Sequence, residues 1–234
     1  MISAAQLTKR FGNKIVLRNL DLQIEAGEFV AMLGPNGAGK STLLRILASL
    51  SSPTFGRLEI AGCRLPHQAA AVRRRLGVVL HQPLLYGDLS AAENLQFFGR
   101  MYALPALDQS VAAALELVGL AARRDDLVRT FSRGMQQRLS IARAILHDPD
   151  VLLLDEPYTG LDQDAADILD GLLRRVAATG RTILMTSHDL IRIAGLATRF
   201  DVLSRGRIAA SARREDPSAR DLLGFYREAL QHGR

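Results

Sequence analysis

Residues 34–42 combine glycines, a lysine and two hydroxyl side chains at a spacing that is typical of phosphate binding. The run is Gly34, Pro35, Asn36, Gly37, Ala38, Gly39, Lys40, Ser41 and Thr42, a full match to the P-loop pattern. An apolar run precedes it and a helical pattern follows, so inward-facing backbone N–H groups and a helix dipole both favour an anion there. We predict that Lys40 bridges the β- and γ-phosphates of a nucleotide and that the Ser41 hydroxyl coordinates Mg²⁺.

An acidic pair follows a second apolar run, residues 151–154, about a hundred residues after the lysine. The carboxyl end of a buried parallel strand is where such sheets bind ligands. We therefore expect Asp155 to hold Mg²⁺, directly or through water. Glu156 is expected to polarise an attacking water as general base, a contribution of about 10²- to 10⁴-fold in rate.

These two motifs alone leave the reaction open. A kinase that transfers phosphate to a small molecule would also carry them. A guanine nucleotide is less favoured, because the chain has no Asn-Lys-x-Asp reader; Asn13-Lys14-Ile15-Val16 lacks the acid.

Five apolar runs are the elements that must position these residues. Helix-length segments separate them, which predicts an α/β sheet with crossover helices. The runs are residues 29–33, 76–80, 151–154, 182–185 and 200–203. In the first sixty residues, short β-like runs at 15–17 and 20–24 alternate with turns, and the second has one apolar face.

The segment between Pro83 and His147 differs in composition from the rest of the chain. It has no strand-like run, and residues 91–101 and 108–118 have helical apolar spacing, which predicts a helical insertion. Near the end of the chain, Asp216-Pro217-Ser218 predicts the start of a terminal helix over residues 219–230.

The composition narrows the class of protein. The chain has 234 residues, 48% hydrophobic and 23% charged, which excludes disorder and suits one compact unit. A net charge of +6 leaves phosphorylated ligands and acidic surfaces open as partners. Its one cysteine, Cys63, fits a reducing compartment. We expect no signal peptide and no membrane span, since no apolar run approaches roughly 20 residues.

Five further positions occur in a fixed order along the chain. They are Phe11, Gln82 after the second apolar run, the segment Phe131-Ser132-Arg133-Gly134-Met135-Gln136-Gln137-Arg138, Leu161-Asp162, and His188. Together with the P-loop and the acidic pair, they resemble the ATP-binding cassette family of transport ATPases from about residue 2 to residue 210.

The resemblance implies a role for each position. Phe11 matches the aromatic residue on which adenine stacks, and Gln82 the glutamine that contacts Mg²⁺ and the attacking water. Asp162 belongs to the D-loop at the nucleotide. His188 matches the switch histidine that senses the γ-phosphate.

The signature segment departs from the family's Leu-Ser-Gly-Gly-Gln at Phe131, Arg133 and Met135. Ser132 and Gly134 remain, and the resemblance implies that they hold the γ-phosphate of ATP bound to a partner cassette. A hydroxyl and a backbone N–H at a helix start suit that task. At the position of the family's glutamine this chain has Met135.

The family's fold is an α/β P-loop NTPase core of mixed or parallel sheet with an N-terminal antiparallel β subdomain and an inserted helical subdomain. The resemblance implies a cassette domain over residues 1–215, helical at about 83–147, and a short helical tail over 216–234. ATP and Mg²⁺ are the implied cofactors.

The implied partners are a second cassette, identical in the favoured case, and integral membrane permease subunits; no motif supports nucleic acid. The expected location is cytoplasmic, peripheral on the cytoplasmic face of the cell membrane. Residues 82–89 are a candidate for receiving a permease helix, with Leu84 and Leu85 packed inside as the alternative.

Three stretches, residues 86–95, 131–138 and 158–162, resemble the ATP-binding subunit of haem exporters in cytochrome c-type biogenesis, and haem export is the favoured branch. They also occur in export cassettes for drugs or polysaccharides. A soluble cassette that acts as a mechanical switch in cofactor assembly is the other alternative.

Overall fold

The computed structural model describes residues 1–80 and 82–232; the last two residues of the predicted tail, 233 and 234, lie outside them. Ten strands and eight α-helices occur in that part of the chain. The strands are β1 (Ile2–Phe11), β2 (Lys14–Ile24), β3 (Phe29–Leu33), β4 (Phe55–Ile60), β5 (Cys63–Leu65), β6 (Leu76–Val79), β7 (Val151–Asp155), β8 (Thr182–Thr186), β9 (Arg199–Ser204) and β10 (Arg207–Arg213). The helices are α1 (Lys40–Leu47), α2 (Ala69–Arg74), α3 (Ala91–Met101), α4 (Leu107–Leu117), α5 (Arg133–Ile145), α6 (Gln163–Ala178), α7 (Leu190–Ala194) and α8 (Leu222–His232).

The larger sheet has six strands in the order β10-β9-β3-β8-β7-β6. Its neighbours are parallel except for the antiparallel pair β9 and β10. Every residue of β3, β7 and β8 is buried, as strands covered on both faces must be. The five predicted apolar strands are confirmed, and no strand end differs from the prediction by more than one residue.

The two faces of this sheet pack against different layers. Phe29, Ala31 and Leu33 of β3 join the core that includes α3 to α6. The alternate residues Val30 and Met32 join a second core with α1 and the smaller sheet. This alternation follows from the two-residue period of a strand.

The smaller sheet is antiparallel, in the order β2-β1-β4-β5. The sequence predicted two short runs, 15–17 and 20–24, where the structure has one strand; Asn19 at φ +47° interrupts the regular backbone between them. The alternation of buried and exposed residues over 20–24 is confirmed. The predicted fold class, a P-loop core with an antiparallel β subdomain and helices, is confirmed.

The helices within residues 83–147 are α3, α4 and α5. The predicted helix 91–101 matches α3, where Ser90 and Glu93 form a reciprocal capping box. The predicted terminal helix begins too early, because Pro217–Ala219 forms only a 3₁₀ turn. α8 begins at Leu222. One residue earlier, the Asp221 carboxylate accepts a hydrogen bond from the Gly224 N–H at 2.9 Å.

Within residues 1–80 and 82–232, no helix is both long enough and apolar enough to cross a membrane.

Candidate active site

The glycine loop after β3 is shaped by close contacts that exclude side chains. Gly34 has φ +153°, and a Cβ there would lie 2.3 Å from the Leu203 carbonyl oxygen. Gly39, at φ +113°, precedes α1, and its Cβ would lie 2.9 Å from a methyl group of Leu17. No side chain caps α1 and its first turn holds no acidic residue, so its first N–H groups are left for an anion.

Lys40 lies inside this loop rather than in solvent. Its ammonium Nζ donates to the carbonyl oxygen of Gly34 at 2.7 Å and to that of Pro35 at 3.5 Å. The side chain is 9% exposed, and Nζ is 3.9 Å from Glu156 Oε1. The cation is therefore held where a triphosphate chain would follow the loop.

Three polar side chains meet beside the loop. Asp155, at the end of β7, accepts hydrogen bonds from the Thr186 hydroxyl at 2.8 Å and the Ser41 hydroxyl at 3.3 Å. The carboxylate is nearly buried. Hydroxyl and carboxylate oxygens are the donors that Mg²⁺ prefers, so this donor set fits the ion.

Glu156 contacts both Lys40 and His188. Its Oε2 lies 2.8 Å from His188 Nδ1, while Oε1 faces Lys40. Its φ of +50° is unusual for a non-glycine residue, and its N–H is held by the Thr186 carbonyl and hydroxyl oxygens at 3.2 and 3.0 Å.

Sheet order explains why residues far apart in the chain meet here. Lys40 follows β3, Glu156 follows β7 and His188 follows β8, and these strands are neighbours in the order β3-β8-β7. Their carboxyl ends therefore share one edge, the usual ligand edge of such sheets.

An open cleft of about 1110 Å³ extends from this edge. Residues 35–37 and 39–42 of the loop line it, together with Glu156. Sequence reasoning missed the rest of its wall, which comes from β2, from the end of β9, from the start of β10 and from the turn between these two strands. Its residues are Lys14, Ile15, Val16, Arg18, Ser204, Arg205, Arg207, Ile208 and Ala209. Only the order of the strands brings these basic residues to the cleft, and no local pattern marks them.

Phe11 and Gln82 are among the predicted positions that lie outside the lining of this cleft. Phe11 is 54% exposed at the end of β1, with Lys9 Nζ 4.9 Å from its ring centroid. Gln82 lines a second cleft of about 390 Å³ together with Glu156 and Arg133, and it makes no hydrogen bond to Ser41 or Asp155. Adenine stacking by Phe11 and Mg²⁺ contact by Gln82 stay predictions.

Ser132 and Gly134 lie at the start of α5 and line neither cleft, whereas Arg133, Gln136 and Gln137 of the signature segment line the second one. Ser132 is the exposed N-cap, and its hydroxyl accepts from the Met135 N–H at 3.3 Å. Gly134 is buried, and a Cβ there would lie 2.7 Å from Cβ of Ala165 on α6. The missing side chain therefore lets two helices approach closely, a packing requirement that the sequence did not reveal.

Asp162 of the D-loop is the N-cap of α6. Its carboxylate accepts a hydrogen bond from the Ala165 N–H at 2.8 Å. This bond fixes the start of α6 beside the signature helix, because Ala165 is the residue that Gly134 faces.

A glycine-rich loop at a helix start, backed by a buried carboxylate on a neighbouring parallel strand, defines a P-loop nucleotide-binding protein. The family model described as ABC transporter matches residues 17–159, more than half of the chain. The chain belongs to the ABC transporter family. It is an ATP-binding and ATP-hydrolysing subunit, which replaces the kinase alternative.

Relatives and solved structures agree with this membership. The Nod factor export ATP-binding protein I of Cupriavidus pinatubonensis is 38% identical over 92% of this chain and 67% of its own. The linearmycin resistance ATP-binding protein LnrL of Bacillus subtilis is 32% identical over 94% and 71%.

Among solved structures, a dimeric ATP-binding cassette in a post-hydrolysis state, bound to ADP and Pi, superposes with a TM-score of 0.83. It is 28% identical, over 92% of this chain and 100% of its own. An ATP-binding subunit of an ABC transporter gives a TM-score of 0.86 at 28% identity, over 98% and 99%. Cassettes of this family work as dimers with membrane permease partners.

Proposed function

We propose that this ATPase energises export through a membrane permease, with Glu156 as the general base of hydrolysis. The observation that carries the proposal is the contact of one carboxylate with both Lys40 and His188 at the mouth of the glycine loop. These three groups are what cleavage of a terminal phosphate requires: a cation, a base and a group that faces the γ-phosphate.

Each residue has a defined part in the proposed reaction. Lys40 and the N–H groups at the start of α1 neutralise the phosphates, and the Lys40 ammonium exchanges its carbonyl partners for phosphate oxygens. Glu156 accepts a proton from the water that attacks the γ-phosphorus, and ADP leaves. His188 orients the Glu156 carboxylate through their 2.8 Å contact.

Ser41 and Asp155 are the residues that would hold Mg²⁺, and Gln82 is the third proposed contributor. When bound, the ion supplies neutralisation of charge on the β- and γ-phosphate oxygens. The 3.3 Å bond between Ser41 and Asp155 keeps the two oxygen donors together before the ion arrives.

We propose a homodimer of cassettes with two ATP molecules at its interface. In one chain the P-loop cleft is open and Ser132 and Gly134 do not line it, which supports their supply from a partner. Phe11 completes the adenine side and Asp162 the D-loop side in this proposal. A two-fold axis makes the two sites equivalent.

An apolar groove beside α3 and α5 supports a membrane partner. Its volume is about 200 Å³, and Leu84 and Leu50 on its rim are 51% and 60% exposed. Leu85, by contrast, packs against the core. Leu84 therefore fits the alternative in which the segment receives a permease helix, and Leu85 fits the alternative in which it is packed inside. The partner subunit would place the chain at the cytoplasmic face of the cell membrane.

The charge of this groove favours a particular kind of helix. Arg73 and Arg143 line it, and among the described residues no carboxylate does. Arg143 donates to the Leu84 carbonyl oxygen at 3.2 Å and fixes the rim. We propose that a permease helix with an apolar face and an acidic side chain docks there.

The cargo follows from resemblance alone. The two relatives named for Nod factor export and linearmycin resistance support export as the direction of transport. Haem export for cytochrome c assembly, favoured by residues 86–95, 131–138 and 158–162, is the second branch. Disruption of the gene tests it: loss of c-type cytochromes supports haem export, and normal levels of holocytochrome contradict it.

The test of the catalytic assignment is Glu156→Gln, which keeps the shape and removes the base. We expect ATP binding to remain, hydrolysis to fall by about 10²- to 10⁴-fold, and an ATP-bound dimer to accumulate. Phosphate release and size-exclusion chromatography measure the two effects. Glu116→Gln on the exposed face of α4 is the matched control, expected to hydrolyse ATP normally. Turnover near wild type in Glu156→Gln would contradict the assignment.

A further inference from the structure

One arginine joins three segments of the chain through an ion-pair network. Arg192 Nη1 donates to Asp167 at 2.8 Å and to Asp170 at 3.0 Å, and its Nε lies 3.5 Å from Asp189. The Arg192 side chain is 11% exposed. Its guanidinium also lies 5.7 Å from the ring centroid of Tyr158, whose hydroxyl donates to Asp170 at 2.6 Å.

The three joined segments are those that carry the reacting groups. Tyr158 lies two residues after Glu156, Asp189 directly follows His188, and Asp167 and Asp170 lie on α6 behind the D-loop. The Asp189 side chain also caps α7 by accepting from the Arg192 N–H at 3.1 Å. The network therefore spans the distance between the histidine loop and the segment that follows the proposed base.

The members of the network differ in exposure. The Arg192 and Asp170 side chains are 11% and 13% exposed, so their pair is the covered part, whereas Asp167 and Asp189 are 59% and 37% exposed. Burial and the Asp170 carboxylate raise the pKa of Tyr158, so its hydroxyl remains a neutral donor. A directional hydrogen-bond network of this kind fixes the separation of segments.

We infer that Arg192 is a positioning residue that holds the His188 loop in register with Glu156. Through Asp189 it restrains the loop that begins α7, and through Asp170 and Tyr158 it restrains the chain after Glu156. The 2.8 Å contact between His188 and Glu156 lies between these two restraints. The inference rests on the proposed function, because it assigns a cause for the alignment of that site.

The primary test is Arg192→Met, which keeps the aliphatic length and removes the ion pairs. In the full-length chain we expect kcat for ATP hydrolysis to fall about tenfold, while KM for ATP stays within about twofold. Arg174→Met, an exposed arginine on α6, removes the same charge outside the network and is expected to match wild type. Arg192→Lys is expected to recover part of kcat.

A double-mutant cycle separates positioning from general support of the fold. If Arg192 acts through His188, Arg192→Met in a His188→Ala background should lower kcat by less than about twofold. An equal tenfold loss in both backgrounds, or wild-type kcat in Arg192→Met, would overturn the inference. If Arg192→Met does not fold, Tyr158→Phe replaces it in the same cycle, with an expected loss of about threefold. A wild-type chain without ATPase activity would instead refute the proposed function.

Discussion

Glu156 has a backbone conformation that its residue type rarely adopts. A φ of +50° costs a glutamate of the order of 1–3 kcal/mol, and the two bonds from its N–H to Thr186 oppose that cost. With this backbone conformation the carboxylate contacts Lys40 and His188 instead of continuing along β7. The sequence motif predicted the residue, but its conformation depends on a threonine from another strand.

His147 is a second residue whose surroundings set its chemistry. Its ring stacks on Tyr102 with 3.8 Å between centroids, and Nε2 lies 3.0 Å from the Leu76 carbonyl oxygen. Nδ1 is buried without a partner among the described residues. Burial lowers the pKa of His147 below its ordinary value of 6.5, and the hydrogen bond to Leu76 opposes this only in part.

This lowered pKa predicts a pH dependence of stability. Below pH 6.5 the unfolded chain binds a proton that folded His147 resists, so stability present above that pH is lost as pH falls. His147→Phe keeps the stack on Tyr102 and removes the titration. We expect its free energy of unfolding in urea to fall less than that of wild type between about pH 7.5 and 5.5.

His67→Phe, at an exposed position, is the control and should follow the wild-type curve. Equal pH dependence in His147→Phe and wild type would show that burial of this ring does not disfavour its charged form.

At the scale of elements, α5 and α6 approach each other closely where Gly134 faces Ala165. Gly134→Ala would place its methyl group 2.7 Å from Cβ of Ala165, and such overpacking costs about 1–3 kcal/mol. Adding Ala165→Gly removes the clash, so the double variant should be more stable than the sum of the single effects predicts. Urea unfolding of the four proteins measures this coupling.

Gly171→Ala on α6 is the matched control for Gly134→Ala on α5. Nothing lies within 4 Å of a Cβ at Gly171, so alanine there should raise stability by about 0.5–1 kcal/mol through helix propensity. If Gly134→Ala also stabilised the protein, the helices would have to separate at little cost, contrary to the packing described.

Prediction from sequence succeeded where one pattern decides the structure. β3, β7 and β8 are apolar throughout because both of their faces are covered, and the glycine loop is recognisable because only glycine fits its contacts. The sequence did not single out β1 (Ile2–Phe11), since its polar residues and Gln6 at φ +52° hide the alternation that pairing with β2 and β4 imposes. The basic wall of the cleft was missed because it depends on strand order.

At the scale of the whole molecule, the apolar groove beside α3 and α5 is exposed in a single chain. Leu50, Leu84 and Met101 are each more than half exposed, and the rings of Tyr86, Phe97 and Phe98 form a cluster beside them. Apolar patches of this kind mark sites of interaction with another protein. The site of hydrolysis and this groove are separate surfaces, as transmission of motion to a permease requires.

Leu84→Asp tests this groove as the membrane partner's site. We expect the variant to lose co-purification with membrane subunits from detergent-solubilised cells, because a carboxylate on the rim would repel an acidic helix. Leu84 is at φ +52°, a region that aspartate tolerates better than leucine, so the change should not unfold the chain.

Leu223→Asp on α8, where the leucine is 46% exposed, is the matched control and should stay bound. Retention of the membrane subunits by Leu84→Asp would place their contact elsewhere. Absence of any integral membrane partner for the wild-type chain would favour the soluble switch.

The hydrogen bond from Lys40 to the Gly34 carbonyl oxygen has a consequence for nucleotide entry. The ammonium donates to the Gly34 and Pro35 carbonyl oxygens and lies 3.9 Å from Glu156 Oε1. Arrival of a triphosphate is therefore an exchange of partners, and the measured affinity reports the difference between two bound arrangements. In the proposed reaction the same exchange ends the 3.9 Å contact between Lys40 and Glu156, the proposed base.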